Sequence, residues 1–313
     1  AMLTTLAAPA FAKTWYIEDG DITISASETK GTNKVSQGAE PEVEDTGTII
    51  TNREKDASSH TVTINAGNDK VEVTLDNVNI KADSGSALIS KGDVTLTLKG
   101  DNHLTGGNGG SSSYGGDGIT SSGSLTISGG TVTATGGDST SSVGSGGSGI
   151  SSNGSLTITG GENDSLTAKG GSGRSGIFSS GGVTISGGTV NATGGSSGSD
   201  SGDGIHSGSL TMKGGTVNAK GGSGADGGSG IRTFSSGGVT ISGGSTVNAN
   251  GGNGSKSESS DRSNGGRGID SGSLTVSGGT VTATGGDGCS GSYSDGGIGI
   301  SSSSGGVTIS GGT

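Results

Sequence analysis

Four aspartates recur at equivalent places in the chain. Asp117 and Asp203 share the phrase Gly-Asp-Gly-Ile, while Asp138 and Asp287 each follow Gly-Gly at the opening of a variable stretch. Carboxylates brought to one corner of successive repeats repel one another unless a hard cation lies between them, and Ca²⁺ accepts flexible sets of carboxylate and carbonyl oxygens. These four are therefore the candidate calcium ligands, with plain solvated aspartate as the alternative. The G-G-x-G-x-D frame of nonapeptide calcium repeats is absent. Tyr114 and Tyr293 are the aromatics of the same variable stretches. An aromatic face packs against sugar C–H surface, which makes both candidate carbohydrate contacts, although two rings on distant repeats equally suit packing over an edge.

Catalysis has fewer footholds. A lyase-type reaction needs a Lys or Arg base beside a calcium-bound acidic substrate. Arg174, Arg232, Arg262 and Arg267 lie near Gly-Ile steps but outside any recognisable constellation with carboxylates, and His60, His103 and His206 read as isolated. No catalytic residue is assigned. Thr126, Thr157, Thr184, Thr211, Thr240, Thr275 and Thr308 form a row, the ordinary occupants of an exposed strand position. Ice binding would need a second adjacent threonine row, and Lys169, Lys220, Asn191, Asn218, Asn248 and Asn250 interrupt the nearest one.

The elements that carry these residues are written in a repeated phrase. "SLTISGGTVTATGGD" (124–138) returns nearly unchanged at 273–287, and "GVTISGGTVNATGG" occupies 182–195. Gly-Ile recurs at 118–119, 149–150, 176–177, 204–205, 230–231, 268–269 and 299–300, each time but the last followed by two aliphatic alternating segments bounded by Gly-Gly. Self-similarity at a period of about 26–38 residues is the signature of a stacked-repeat architecture. Three short alternating strands per repeat predict a parallel β-helix, each strand stacking on its equivalent about 4.8 Å away. Alternation places Ile119, Leu125, Ile127, Val132 and Ala134, and their counterparts in later repeats, inward. The Gly-Gly pairs are expected to supply positive φ at the corners.

Composition agrees with an elongated all-β body. Of 313 residues 73 are Gly and two are Pro, with 25% hydrophobic and 2% aromatic residues, yet the aliphatic ones alternate as half-buried strands do. Almost no helix is expected. The net charge of −11 and the lack of any basic cluster disfavour nucleic acid and anionic membrane surfaces as partners. Cys289 is the single cysteine, so an intramolecular disulfide is excluded. No apolar stretch of about 18 residues exists to span a bilayer.

Three regions follow. Residues 1–12, ending in Ala10-Phe11-Ala12, read as the remnant of a secretory signal peptide, an ordinary first strand or leader being the alternative. Residues 13–107 are richer in charge and poorer in glycine, and read as an N-terminal cap with the first irregular coils, including a polar loop at 28–46. Residues 108–313 are the regular repeats, which stop within a repeat and are expected to continue in the natural protein.

The stretch "VEVTLDNVNIKADSGSALISKGDVTLTLKGDNHLTGG" (71–107), followed by the repeated phrase, resembles a family of secreted bacterial carbohydrate-binding domains. That resemblance extends over about residues 13–313. It implies an all-β, polysaccharide-lyase-like, right-handed parallel β-helix, a three-strand-per-coil solenoid, with bound Ca²⁺ and an extended plant or microbial polysaccharide as partner. The expectations are thus a secreted or cell-surface, non-catalytic glycan binder, with a structural stalk or adhesin segment and a polysaccharide lyase as alternatives.

Overall fold

The computed structural model describes residues 12–110, 113–139, 145–198, 201–255, 263–289 and 294–313. The signal-peptide reading of 1–12 falls, but for Ala12, outside them. The chain is all-β: 23 strands join in one sheet, and a three-residue 3₁₀ turn at Ile17–Asp19 is the only helical element among the described residues. No helix among them is long and apolar enough to cross a membrane.

Repeats meet in parallel, residue for equivalent residue. Ile119 pairs with Leu88 and Ile150, Leu125 with Val94 and Leu156, and Val132 with Asn102 and Leu166. Alternation then sends one face of each strand inward. Ile119, Ile150, Ile177, Ile205, Ile231 and Ile269 are all fully buried, as are Val190 with Ala192 and Val247 with Ala249. Each buried aliphatic side chain is worth roughly 1.5–3 kcal/mol, and the small alanine opposite a branched residue lets a narrow interior fill.

The expected right-handed parallel β-helix with three separate strands per coil is corrected by these pairings. Strands Leu88–Lys99, Ile119–Ser121, Ile150–Ser152, Ile177–Thr193, Leu156–Thr159 and Leu125–Ser128 pair in parallel in that order and back to the first. They close a six-strand parallel barrel, and the other strands bond outside it. The physical reason is that a glycine pair does not always end a strand: Gly129-Gly130 does, whereas two other pairs do not. Gly181-Gly182 and Gly187-Gly188 lie inside the single strand Ile177–Thr193, which pairs with three shorter strands of the preceding repeat and with Ile205–Lys220 of the next. Register shifts in its pairing with Ile205–Lys220 fall at Ser179/Gly182, Ile185/Ser186 and Ser186/Thr189, beside the two glycine pairs.

The two glycine pairs of a repeat also do different work. Gly215, in the first pair, has φ +81°, a conformation that a Cβ disfavours. The closing pair is needed for a different reason, close backbone approach. A Cβ on Gly137 would stand 2.1 Å from the carbonyl oxygen of Gly107. There the chain leaves for its variable excursion and returns, and the two legs bond in a zigzag. Gly116 N–H donates to Gly107, Gly137 to Gly116, Gly147 to Gly137 and Gly171 to Gly147, each at 2.8 Å.

The segment 28–46, expected as a loop, instead holds the strands Asn33–Gln37 and Val43–Asp45. They extend Ile22–Ala26 as two antiparallel hairpins. Buried polar pairing makes a polar sequence strand-competent: fully buried Asp45 accepts the Trp15 indole N–H at 2.7 Å and the Lys13 backbone N–H at 3.0 Å.

Candidate functional site

The four aspartates turn out to be rungs of hydrogen-bonded ladders. Asp117 Oδ1 accepts the backbone N–H of Ser148 at 2.7 Å, and its Oδ2 accepts the Thr120 hydroxyl at 2.7 Å. Asp203 Oδ1 accepts the Ser229 N–H at 2.7 Å. At the other register Asp138 Oδ1 accepts both the N–H and the hydroxyl of Ser172 at 3.0 Å, while Asp138 donates its own N–H to Asn108 Oδ1. Asp287 gives its N–H to Asn253 Oδ1 at 3.0 Å. At these corners a side-chain oxygen satisfies the backbone donor of the equivalent residue one repeat later.

The ladders keep the carboxylates apart. Ser148 and Ser175 stand between Asp117 and Asp203, while Ser172, Ser196, Ser223 and Asn253 stand between Asp138 and Asp287. At about 4.8 Å per layer the members of each pair are roughly 14 Å and 24 Å apart, so the four cannot share one cation. No cluster of three or more His, Cys, Asp or Glu able to hold a metal occurs among the described residues. Tyr114 is 73% exposed. Tyr293 lies outside the described residues.

One outward column gathers chemistry that the sequence reading left scattered. The residues following the buried isoleucines pair in register: Ser151 with Phe178, Phe178 with His206, His206 with Arg232, and Arg232 with Asp270. A longer turn between Ile231 and Val239 than between Ile205 and Leu210 carries Phe234 back over the earlier layers. The His206 and Phe234 ring centroids are 4.8 Å apart; Phe178 meets His206 edge-on at 5.6 Å and Phe234 at 6.3 Å.

Beside the rings runs a chain of charges. Asp203 Oδ2 lies 3.2 Å from His206 Nδ1 and 3.5 Å from Arg232 Nη1. Arg232 Nε reaches Asp270 Oδ2 at 3.7 Å, and Arg267 Nη1 donates to the same oxygen at 2.8 Å. The Asp203 carboxylate is buried, whereas the guanidinium side chains are nearly half exposed. Reading His206 as isolated, and Arg232 and Arg267 as outside any constellation, is therefore corrected. The available signal was the residue after each Gly-Ile, where Phe, His, Arg and Asp follow one another in four consecutive repeats.

Two further rows face outward. The threonine row is in register throughout and begins one layer earlier than expected, at Thr95, running through Thr126, Thr157, Thr184, Thr211, Thr240 and Thr275 to Thr308. Past the next glycine pair the Asn248 amide donates to Asn218 Oδ1, and Asn218 to Asn191 Oδ1, both at 2.8 Å. Comparison of the chain with protein-family models, with curated proteins and with solved structures gives no match. The class that the fold and its outward rows define is an all-β, parallel-strand repeat protein with polar ladders on its surface.

Proposed function

We propose that the chain is a secreted or cell-surface polysaccharide-binding module without catalytic activity. The observation that carries this reading is the eight-residue threonine row, with the asparagine ladder beyond the following glycine pair. The threonine row offers hydroxyl groups at a spacing of about 4.8 Å over eight layers, and the asparagine ladder adds amides over three. An extended glycan laid along it meets many weak hydrogen bonds, each worth about 1 kcal/mol net, and affinity comes from their number. The net charge of −11 favours an uncharged polymer, or an acidic one bridged by cations.

Affinity electrophoresis through gels containing cellulose derivatives, pectic acid or xylan, with and without calcium, tests the reading. Retardation on at least one polymer is the expected result. Unretarded migration on every polymer favours the stalk reading, to which the continuous glycine zigzag and unbroken core also lend themselves. Calcium enters as a variable of that experiment, since Asp117, Asp138, Asp203 and Asp287 do not make a shared ligand set. A flat absorbance trace with pectic substrates is the expected result for unsaturated uronic products.

A further inference from the structure

Resting on that glycan-binding reading, we propose that Phe178, His206 and Phe234, with Arg232 and Asp270 at their edge, form the seat of one uncharged pyranose unit of the polymer. Outward positions elsewhere in this column include Ile89, Thr120, Ser151 and Ser301, none of them aromatic. Three rings in three consecutive layers are a departure from that pattern. Phe234 reaches its place only through the lengthened turn after Thr233, and it remains 39% exposed. A ring left this open gains little for folding, but offers an apolar face to a ligand.

The chemistry matches a sugar ring. A pyranose presents a C–H face that packs on an aromatic ring, with hydroxyls at its rim that both donate and accept. Here the rim is an acceptor, Asp270, alongside donors, Arg232 and Arg267. Both guanidinium groups already face carboxylates, Arg232 between Asp203 and Asp270, and Arg267 on Asp270. Two arginines against two aspartates leave no net charge for a uronate to answer. The seat therefore selects a neutral unit.

The three histidines of the chain provide a reporter, because only His206 belongs to the seat. Titration of the full chain with xylo- and cello-oligosaccharides, followed by the imidazole C–H signals, is expected to shift one of the three. That signal should be the one missing from His206→Gln. In the affinity gel, Phe234→Ala should weaken binding of a neutral polymer by roughly fivefold to tenfold, the loss of a stacking contact. Val43→Ala, in the N-terminal hairpin and also partly exposed, should leave it unchanged. Phe234→Ala is checked for an unaltered far-ultraviolet spectrum, and Arg232→Gln gives a second variant should it misfold. Retardation of wild type and both variants alike, with no shift of the His206 signal, overturns the seat while the glycan-binding reading stands. Retardation of the wild type by pectic acid alone also overturns it. Failure of the wild type on every polymer overturns both.

Discussion

Asp203 accepts the backbone N–H of Ser229, one repeat further along, at 2.7 Å, and directs its other oxygen toward His206 and Arg232. One carboxylate thus closes a gap in the backbone ladder and anchors the charged edge of the aromatic seat. Replacing it with alanine strands a buried N–H and removes the oxygen that faces the His206 imidazole and the Arg232 guanidinium. Asp203→Ala should cost about 1–3 kcal/mol in denaturant unfolding, and Asp203→Asn, which keeps an oxygen acceptor, clearly less. Equal losses in the two variants would contradict this division of labour.

Calcium should not stabilise the fold through the four ladder aspartates. Carboxylates held roughly 14 Å and 24 Å apart by intervening serines and asparagine offer no common site. Thermal unfolding in millimolar Ca²⁺ and in chelator should give the same midpoint. A rise of several degrees with calcium that Asp117→Asn or Asp138→Asn abolishes would show otherwise.

The glycine zigzag makes a sharp contrast between two alanine substitutions. A methyl group on Gly137 meets the backbone oxygen of Gly107 at 2.1 Å, whereas one on Gly198 finds nothing within 4 Å. No side chain can move aside at the first position. Gly137→Ala should cost about 3 kcal/mol and Gly198→Ala no more than about 0.5 kcal/mol. Similar stabilities for the two would remove the zigzag's structural role.

At the N-terminal end, the Arg53 guanidinium, in a two-pronged contact with Asp19 that includes Nη2 to Oδ2 at 2.7 Å, holds the carboxyl below its ordinary value of 3.8. A lowered folded-state value means that the pair adds stability above the unfolded value, and that this is lost as the pH falls through the folded one. An acid titration of the unfolding midpoint should therefore show a shallower decline below about pH 4 for Asp19→Asn than for wild type. Parallel curves would mean that the pair contributes nothing to folding.

Much of the core could be read directly from the sequence. Alternation and period placed Ile119, Ile150, Ile177, Val190 and Val247 inside, because a half-buried strand must put every second residue inward. The closed six-strand ring could not be read so. Whether Gly181-Gly182 ends a strand or lets it bend depends on contacts with both neighbouring repeats, which local pattern does not contain. The polar stretch around Asn33–Gln37 reads locally as a loop because its burial rests on long-range bonds, such as Asn33 Nδ2 to Thr48 Oγ1 at 2.9 Å. The seat was missed for a related reason. Phe178, His206 and Arg232 are far apart in sequence and meet only through register, and nothing local says that the turn at Phe234 folds backward.

The central claim, that successive layers add their contacts along one extended glycan, is tested most directly by a glycan array carrying graded oligomers of each polymer, read with the full chain. The account predicts signal on at least one series, rising steeply with oligomer length over several sugar units. No signal on any series, or equal signal on monosaccharide and long oligomer, would contradict it.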